Sequence, residues 1–147
     1  MADRKVVDGL NGLLADATVL YQKLHAFHWM VAGPQFFQLH AKFEEFYDRF
    51  AEVVDDVAER VLTVGGQPLG TLREVLERAE IKEYDGTKAA AQMVAAVAAD
   101  FTHLLKKSGA VQEAAEAAGD RGTANLLDGI RDELEKTLWM LKAWQTA

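Results

Sequence analysis

The 147-residue chain predicts an all-α four-helix bundle, and three observations carry that expectation. Apolar residues recur at the 3.6-residue helical period rather than alternating as in strands. The two prolines, Pro34 and Pro68, both sit beside glycine-containing breaks. Between the breaks alanine, leucine, glutamate and lysine dominate, all good helix formers.

The first helix is expected over 4–31, with Leu10, Leu13, Leu14, Ala17, Leu20, Tyr21, Leu24, Phe27 and Val31 on its apolar stripe. Ala32-Gly33-Pro34 interrupts it. A second helix over 35–64 carries Leu39, Phe43, Phe46, Phe50, Val53, Val54 and Val57, and Gly65-Gly66 is a left-handed stop. Thr71 with Glu74 forms a capping box for a short helix over 72–80. Asp85-Gly86-Thr87 begins a third long helix that runs to about 118, with Ser108-Gly109 as a candidate kink. A fourth occupies 123–144 after the break at Ala118-Gly119-Asp120. The chain reads as one domain, 1–147. Its one long connection, 65–86, joins the second and third long helices and carries the short extra helix. Such a crossover returns the chain to the far end of the bundle, which is ferritin-like connectivity.

Composition excludes several classes. There is no cysteine, so disulfides and thiolate metal sites are ruled out. No apolar run reaches the roughly 18 residues that a membrane span needs, and no signal-peptide core precedes the first helix. A cytoplasmic location is the simplest expectation. The net charge of -7 argues against a general phosphate-binding surface.

The second helix bears the chemistry. With His40 as the angular origin, Glu44, Asp55, Asp48 and Glu59 follow within about 100° of helix rotation. These five metal-capable side chains form one strip, apart from the apolar stripe. A solvated acidic face is the ordinary alternative, but lysines at i+4 spacing are scarce here. Imidazole and carboxylate are ligands that suit iron. On the first helix His28 falls within the apolar stripe, where a hydrogen-bonded core histidine is the ordinary alternative. His40 stands twelve positions on, just past the helix break.

A di-iron site inside one bundle takes Glu-x-x-His from each of two helices. This chain has no Glu-x-x-His; Asp100-Phe101-Thr102-His103 comes nearest. Any site must therefore draw on the first two long helices. His40 and Glu59 are 19 positions apart, about 28 Å along a helix. One subunit cannot bring both to one ion, whereas a two-fold mate with its second helix antiparallel sets its Asp55 and Glu59 against His28 and His40.

His28-Trp29-x-x-x-Gly33-Pro34-x-Phe36-x-x-Leu39-His40, followed by Phe43-Glu44, Tyr47, Asp55-x-x-Ala58-Glu59-Arg60 and Gly65-Gly66, resembles the signature of the Dps family of mini-ferritins. The resemblance implies a homo-dodecamer with twelve sites at two-fold interfaces, each holding two irons (Fe2+/Fe3+). It implies ligands His28 and His40 from one subunit and Asp55 and Glu59 from its mate, with Glu44 as the acidic position after the second histidine. Trp29 matches a tryptophan beside the site that intercepts radicals. The implied reaction is a ferroxidase's: oxidation of Fe(II) by hydrogen peroxide or oxygen, ferric mineral storage, and protection against oxidative stress.

Two features depart from the family. No lysine-rich tail is present, only Arg4 and Lys5 before the first helix and Trp144-Gln145-Thr146-Ala147 at the end, which argues against direct DNA binding. Thr123-Ala124-Asn125-Leu126 has asparagine where the family's three-fold pore segment tends to have aspartate, leaving Asp120 and Asp128 as pore candidates. The alternatives are a DNA-protecting nucleoid binder with incidental iron chemistry, a metal-free helical interaction module, and, more weakly, a ferritin-like enzyme for an organic substrate.

Overall fold

A computed structural model describes residues 2–146. It contains α1 (Arg4–Met30), α2 (Phe36–Thr63), the short α3 (Leu72–Arg78), α4 (Ala90–Ala117) and α5 (Arg121–Gln145). There is no named strand among the described residues; Ala32 and Ala89 make one isolated bridge. No helix is long and apolar enough to cross a membrane among those residues.

Cross-helix pairs fix the connectivity. Lys23 bonds Asp100, Asp16 bonds His103, and Gly9 lies on Val111. Numbers rise along α1 as they fall along α4, so these helices are antiparallel. Short turns make α1 antiparallel to α2 and α4 antiparallel to α5. The crossover through α3 thus returns the chain to the end where α2 began, the ferritin-like arrangement the sequence predicts. One apolar cluster joins all five helices, with Phe27, Phe43, Leu20, Leu24, Met93 and Leu127 fully enclosed.

The ends of the long helices follow local chemistry. Asp3 caps α1 by accepting from Val6 N. Past α2, Gly65 takes a φ of 91° and Gly66 N returns to Val61 O at 2.8 Å, the left-handed stop its sequence signalled. Thr71 caps α3 through Glu74 N at 3.2 Å.

Two boundaries differ from expectation. The third long helix begins at Ala90, not at 85–87. Asp85 Oδ1 accepts from Thr87 N, and Tyr84 Oη donates to Thr87 O. Ala32 N then donates to Lys88 O, so this stretch is held extended against the α1–α2 turn. The short helix stops at Arg78 because Asp16 Oδ1 captures the amides of Glu80 and Ile81 at 2.7 and 3.0 Å. At the candidate kink, α4 continues unbroken through Ser108-Gly109; Gly109 leaves room for the Arg131 guanidinium.

The crossover is fastened by polar groups buried on α1. Asn11 donates to Gln67 O and accepts from Leu69 N. Asp16 is wholly buried and bonds His103 Nε2 and Lys107 Nζ of α4 as well as the two amides. No buried side-chain polar atom lacks a partner among the described residues. At Gly9 a Cβ would stand 2.7 Å from a Val111 methyl carbon. Gly9→Val should therefore cost about 1–3 kcal/mol by overpacking, despite valine's better helix propensity. Thermal melting of the variant tests this.

Candidate metal centre

His28, from the last turn of α1, and His40, from the second turn of α2, meet across the Ala32-Gly33-Pro34 turn. Their rings stack with centroids 3.7 Å apart and planes 13° from parallel. His28 Nδ1 lies 2.6 Å from His40 O, and His40 Nδ1 lies 2.7 Å from His28 O. A carbonyl oxygen only accepts, so both Nδ1 atoms carry the proton and donate. In the neutral ring this tautomer leaves the lone pair on Nε2, the form that binds a metal. The two imidazoles thus lock one another's tautomer and orientation through each other's backbone. Phe36 stacks on His40 at 4.9 Å.

Glu44, one turn after His40, places Oε1 3.8 Å from His28 Nε2. His28 Nε2 and Glu44 Oε1 would serve as nitrogen and oxygen donors to a first-row dication held between them. Tyr47 sets its ring nearly perpendicular to His28 at 5.3 Å and stacks on His25 at 3.6 Å. Burial holds the His25 imidazole below its ordinary range, helped by the neighbouring His28 and opposed by Asp48. Removal from water raises the Tyr47 hydroxyl, and Glu44, Asp48 and Tyr21 push the same way. Trp29 is 58% exposed, beside His25 at 5.4 Å. Met30 and Phe37, at the facing ends of α1 and α2, are exposed as well, while His28 is buried.

The other expected ligands are elsewhere. Asp55 and Glu59 lie on the same unbroken helix as His40, fifteen and nineteen positions on, so Asp55 is about 22 Å away. They join Asp56 in an exposed group whose carboxylate oxygens lie within 4.8 Å of one another. Asp56 was not on the predicted strip, although its position three before Glu59 puts it on a neighbouring face. Asp48 is also exposed, beside the His25–Tyr47 stack.

A second group, Asp16, Glu80 and His103, was not singled out from sequence. The Lys107 ammonium sits inside it, 2.8 Å from Asp16 and 2.7 Å from Glu80, so it is a salt-bridge network that binds the crossover. The one near-match to Glu-x-x-His is spent the same way: Asp100 pairs with Lys23 and His103 with Asp16.

The pore candidates differ in their surroundings. Asp120 caps α5 through Thr123 N, accepts from the Thr123 hydroxyl, and pairs with Arg60 at 2.9 Å. Burial pushes its pKa up, but the Thr123 bonds and Arg60 outweigh that and hold it below the usual range. Asp128 is exposed, accepts from Gln112 Nε2 at 2.5 Å, and shares an open groove with Glu116, Arg121 and Asn125.

A helical bundle with a long crossover and a histidine–carboxylate centre defines the ferritin-like class, and the model of the ferritin-like domain matches residues 7–146. Within that class, a "DNA protection during starvation protein" of Brevibacillus brevis is 48% identical over 92% of this chain and 91% of its own. Dps of Staphylococcus aureus superposes with a TM-score of 0.95 at 42% identity, covering 100% of this chain and 99% of that one. Dps of Vibrio cholerae, described as one of the ferritin-like diiron-carboxylate proteins, superposes with a TM-score of 0.93 at 36% identity, over 96% and 89%. The chain belongs to the Dps family. Membership makes it an iron-related, protective protein of the ferritin-like superfamily, with iron binding and self-association as family traits.

Proposed function

We propose that the protein is a ferroxidase and iron store whose active centre is shared between two copies of the chain. The observation that carries this reading is the separation of two complementary half-sites along α2. At one end two imidazoles present free Nε2 lone pairs beside Glu44. At the other, exposed carboxylates crowd together, and no histidine joins their group among the described residues. Neither half alone has enough ligands for two irons. An antiparallel second copy supplies the missing half at both ends at once. In this reading His28, His40 and Glu44 act with Asp55 and Glu59 of the mate, twice per pair of subunits. Twelve copies form a closed shell that stores the ferric product.

The chemistry follows from the donors. Hard carboxylate oxygens favour Fe(III) over Fe(II) and so ease oxidation. Two Fe(II) give one electron each to hydrogen peroxide, which takes up two protons and leaves as two waters. No hydroxyl radical is released when the electrons arrive as a pair. Neutral imidazoles fix the iron without adding positive charge. In the same reading Trp29 gives up an electron to stray oxidant, and Asp120 and Asp128 stay candidates for the three-fold pore. A cytoplasmic setting belongs to this proposal too.

The names of the relatives raise a second reading, DNA protection by direct binding. The net charge of -7 favours protection by removing iron and peroxide instead. A mobility shift at about 100 mM salt would reverse that preference.

The test adds Fe(II) anaerobically, then hydrogen peroxide, and follows ferric absorbance. The double variant His28→Ala, Asp55→Ala should lose the fast phase. Oxidation as fast as wild type would show the assigned residues to be wrong. Light scattering is the companion measurement, because a lasting monomer would leave every site incomplete.

A further inference from the structure

The carboxylate half-site lies between two arginines of its own helix, and among the described residues neither makes a salt bridge to it, although Arg49 is near enough to feel the charge of Asp56. Arg49 precedes the group and Arg60 follows it. Arg49 makes a two-pronged bond to Glu133 of α5, at 2.8 and 2.7 Å. Arg60 also reaches α5: Nη2 donates to Asp120 Oδ1 at 2.9 Å and Nε to Thr123 Oγ1 at 3.0 Å.

That capture has a local competitor. Asp56 stands four positions before Arg60 on α2. An acid four residues ahead of a base is the favoured order for a helical ion pair. Released from α5, the guanidinium has Asp56 as its nearest partner, and it would place a fixed positive charge in the Asp55–Asp56–Glu59 group. The α5 side is shaped to keep it away. A Cβ on Gly122 would come within 2.3 Å of Arg60 Nη2, so a side chain there would displace the guanidinium from the place it takes across the start of α5.

We propose that Asp120, with Gly122, is a positioning residue for the metal centre: it draws the Arg60 guanidinium away from the Asp55–Asp56–Glu59 carboxylates and so keeps their negative charge available to a divalent cation. This rests on the reading of Asp55 and Glu59 as ligands. It also gives Asp120 a role that works through charge at the ferroxidase half-site, separate from any place at a pore.

Three variants isolate the effect. Asp120→Asn removes the charge but keeps a strong helix N-cap. Gly122→Ala leaves every charge in place and displaces only the flexible end of Arg60, with a better helix former at that position. Arg60→Gln added to either one removes the cation itself. The assembled proteins are titrated with Co(II), a dication that peroxide-free solution leaves unoxidised, by calorimetry; light scattering and thermal melting confirm assembly and folding. Asp120→Asn and Gly122→Ala should each bind about three- to tenfold more weakly than wild type at low salt, the size of one added charge some 6 Å from a dication in water. The loss should shrink as salt is raised, and Arg60→Gln should restore affinity in both backgrounds.

Unchanged affinity in Asp120→Asn and Gly122→Ala would overturn the proposal. So would a loss that Arg60→Gln fails to rescue, since a cap or pore role for Asp120 predicts no rescue. Asp55→Ala is the control on the underlying reading: if it binds Co(II) as tightly as wild type, the ligand assignment falls, and this inference with it.

Discussion

Subunits carrying His28→Ala, co-expressed in equal amounts with subunits carrying Asp55→Ala, should regain about a quarter of the wild-type rate of peroxide-driven iron oxidation, although each variant alone is inactive. The fraction follows from two-fold symmetry. A pair of copies holds two sites, each built from one copy's histidines and the other's carboxylates. Joining the two variants concentrates both lesions in one of those sites and leaves the other with its full set of ligands. Random pairing makes half the pairs mixed, and each mixed pair keeps one site in two. A site contained within one chain predicts no recovery at any mixing ratio. The expected loss in the single variants is large because each removes a protein ligand from a centre that has few. His28→Ala removes more than its own nitrogen. It deletes the ring that packs on His40, so His40 is left with only Phe36 stacked on it and loses its co-ligand. His28→Ala should therefore be nearly as damaging as the double His28→Ala, His40→Ala variant, and stopped-flow ferric absorbance separates that from an additive loss.

Much of this architecture was legible in the sequence, and the reasons differ between elements. The four long helices announced themselves through apolar period and glycine stops, which are local properties of the chain. The distance between His40 and Glu59 was legible too, because α2 is one unbroken helix and helical rise converts residue number into distance. The reciprocal Nδ1 bonds of His28 and His40 were not. They depend on how the turn at Ala32-Gly33-Pro34 brings two helix ends together, and residue spacing does not encode that. The start of the third long helix was misplaced for a similar reason. Asp85-Gly86-Thr87 has the chemistry of a helix start, yet the bond from Ala32 N to Lys88 O holds the strand-like stretch open for three more residues. Asp16 was the largest omission. On a wheel it shares its face with Lys23, seven positions on, both buried beside core leucines, and its four donors come from positions 80, 81, 103 and 107. The signal that could have found it was that mismatch: charged residues among core leucines must have partners or not be charged.

Asp16→Ala should destabilise the protein by about 3–5 kcal/mol, the range for removing one partner from a buried ion pair. Two backbone amides just past α3 and His103 Nε2 lose the acceptor they share, and Lys107 Nζ is left with Glu80 alone. Asp16→Asn should cost less, since an amide oxygen still accepts from Glu80 N and Ile81 N while the ionic bonds are lost. Both effects should appear first in α3 and the 79–81 segment, which Asp16 fastens to α1, as faster hydrogen exchange there than in α2 or α5. The pH dependence has a definite sign. Burial raises the Asp16 pKa, but bonds from Lys107, the amides of Ile81 and Glu80, and His103 outweigh it and hold the carboxyl below its ordinary 3.8. A carboxyl depressed by folding adds stability that is fully present above its unfolded pKa and is lost as pH falls through its folded one. The contribution should therefore hold at neutral pH, begin to fall at about pH 4 and be lost as pH drops through the lower folded pKa. Asp100 works in the opposite direction, because its burial outweighs the Lys23 bond and raises its pKa. Subtracting the Asp16→Asn melting curve from that of wild type, pH by pH, cancels the Asp100 contribution except for the smaller part that the Asp16 charge itself imposes on it. A difference that grows on acidification would contradict the charge-based account; one that vanishes with it assigns the acid lability of the crossover to Asp16.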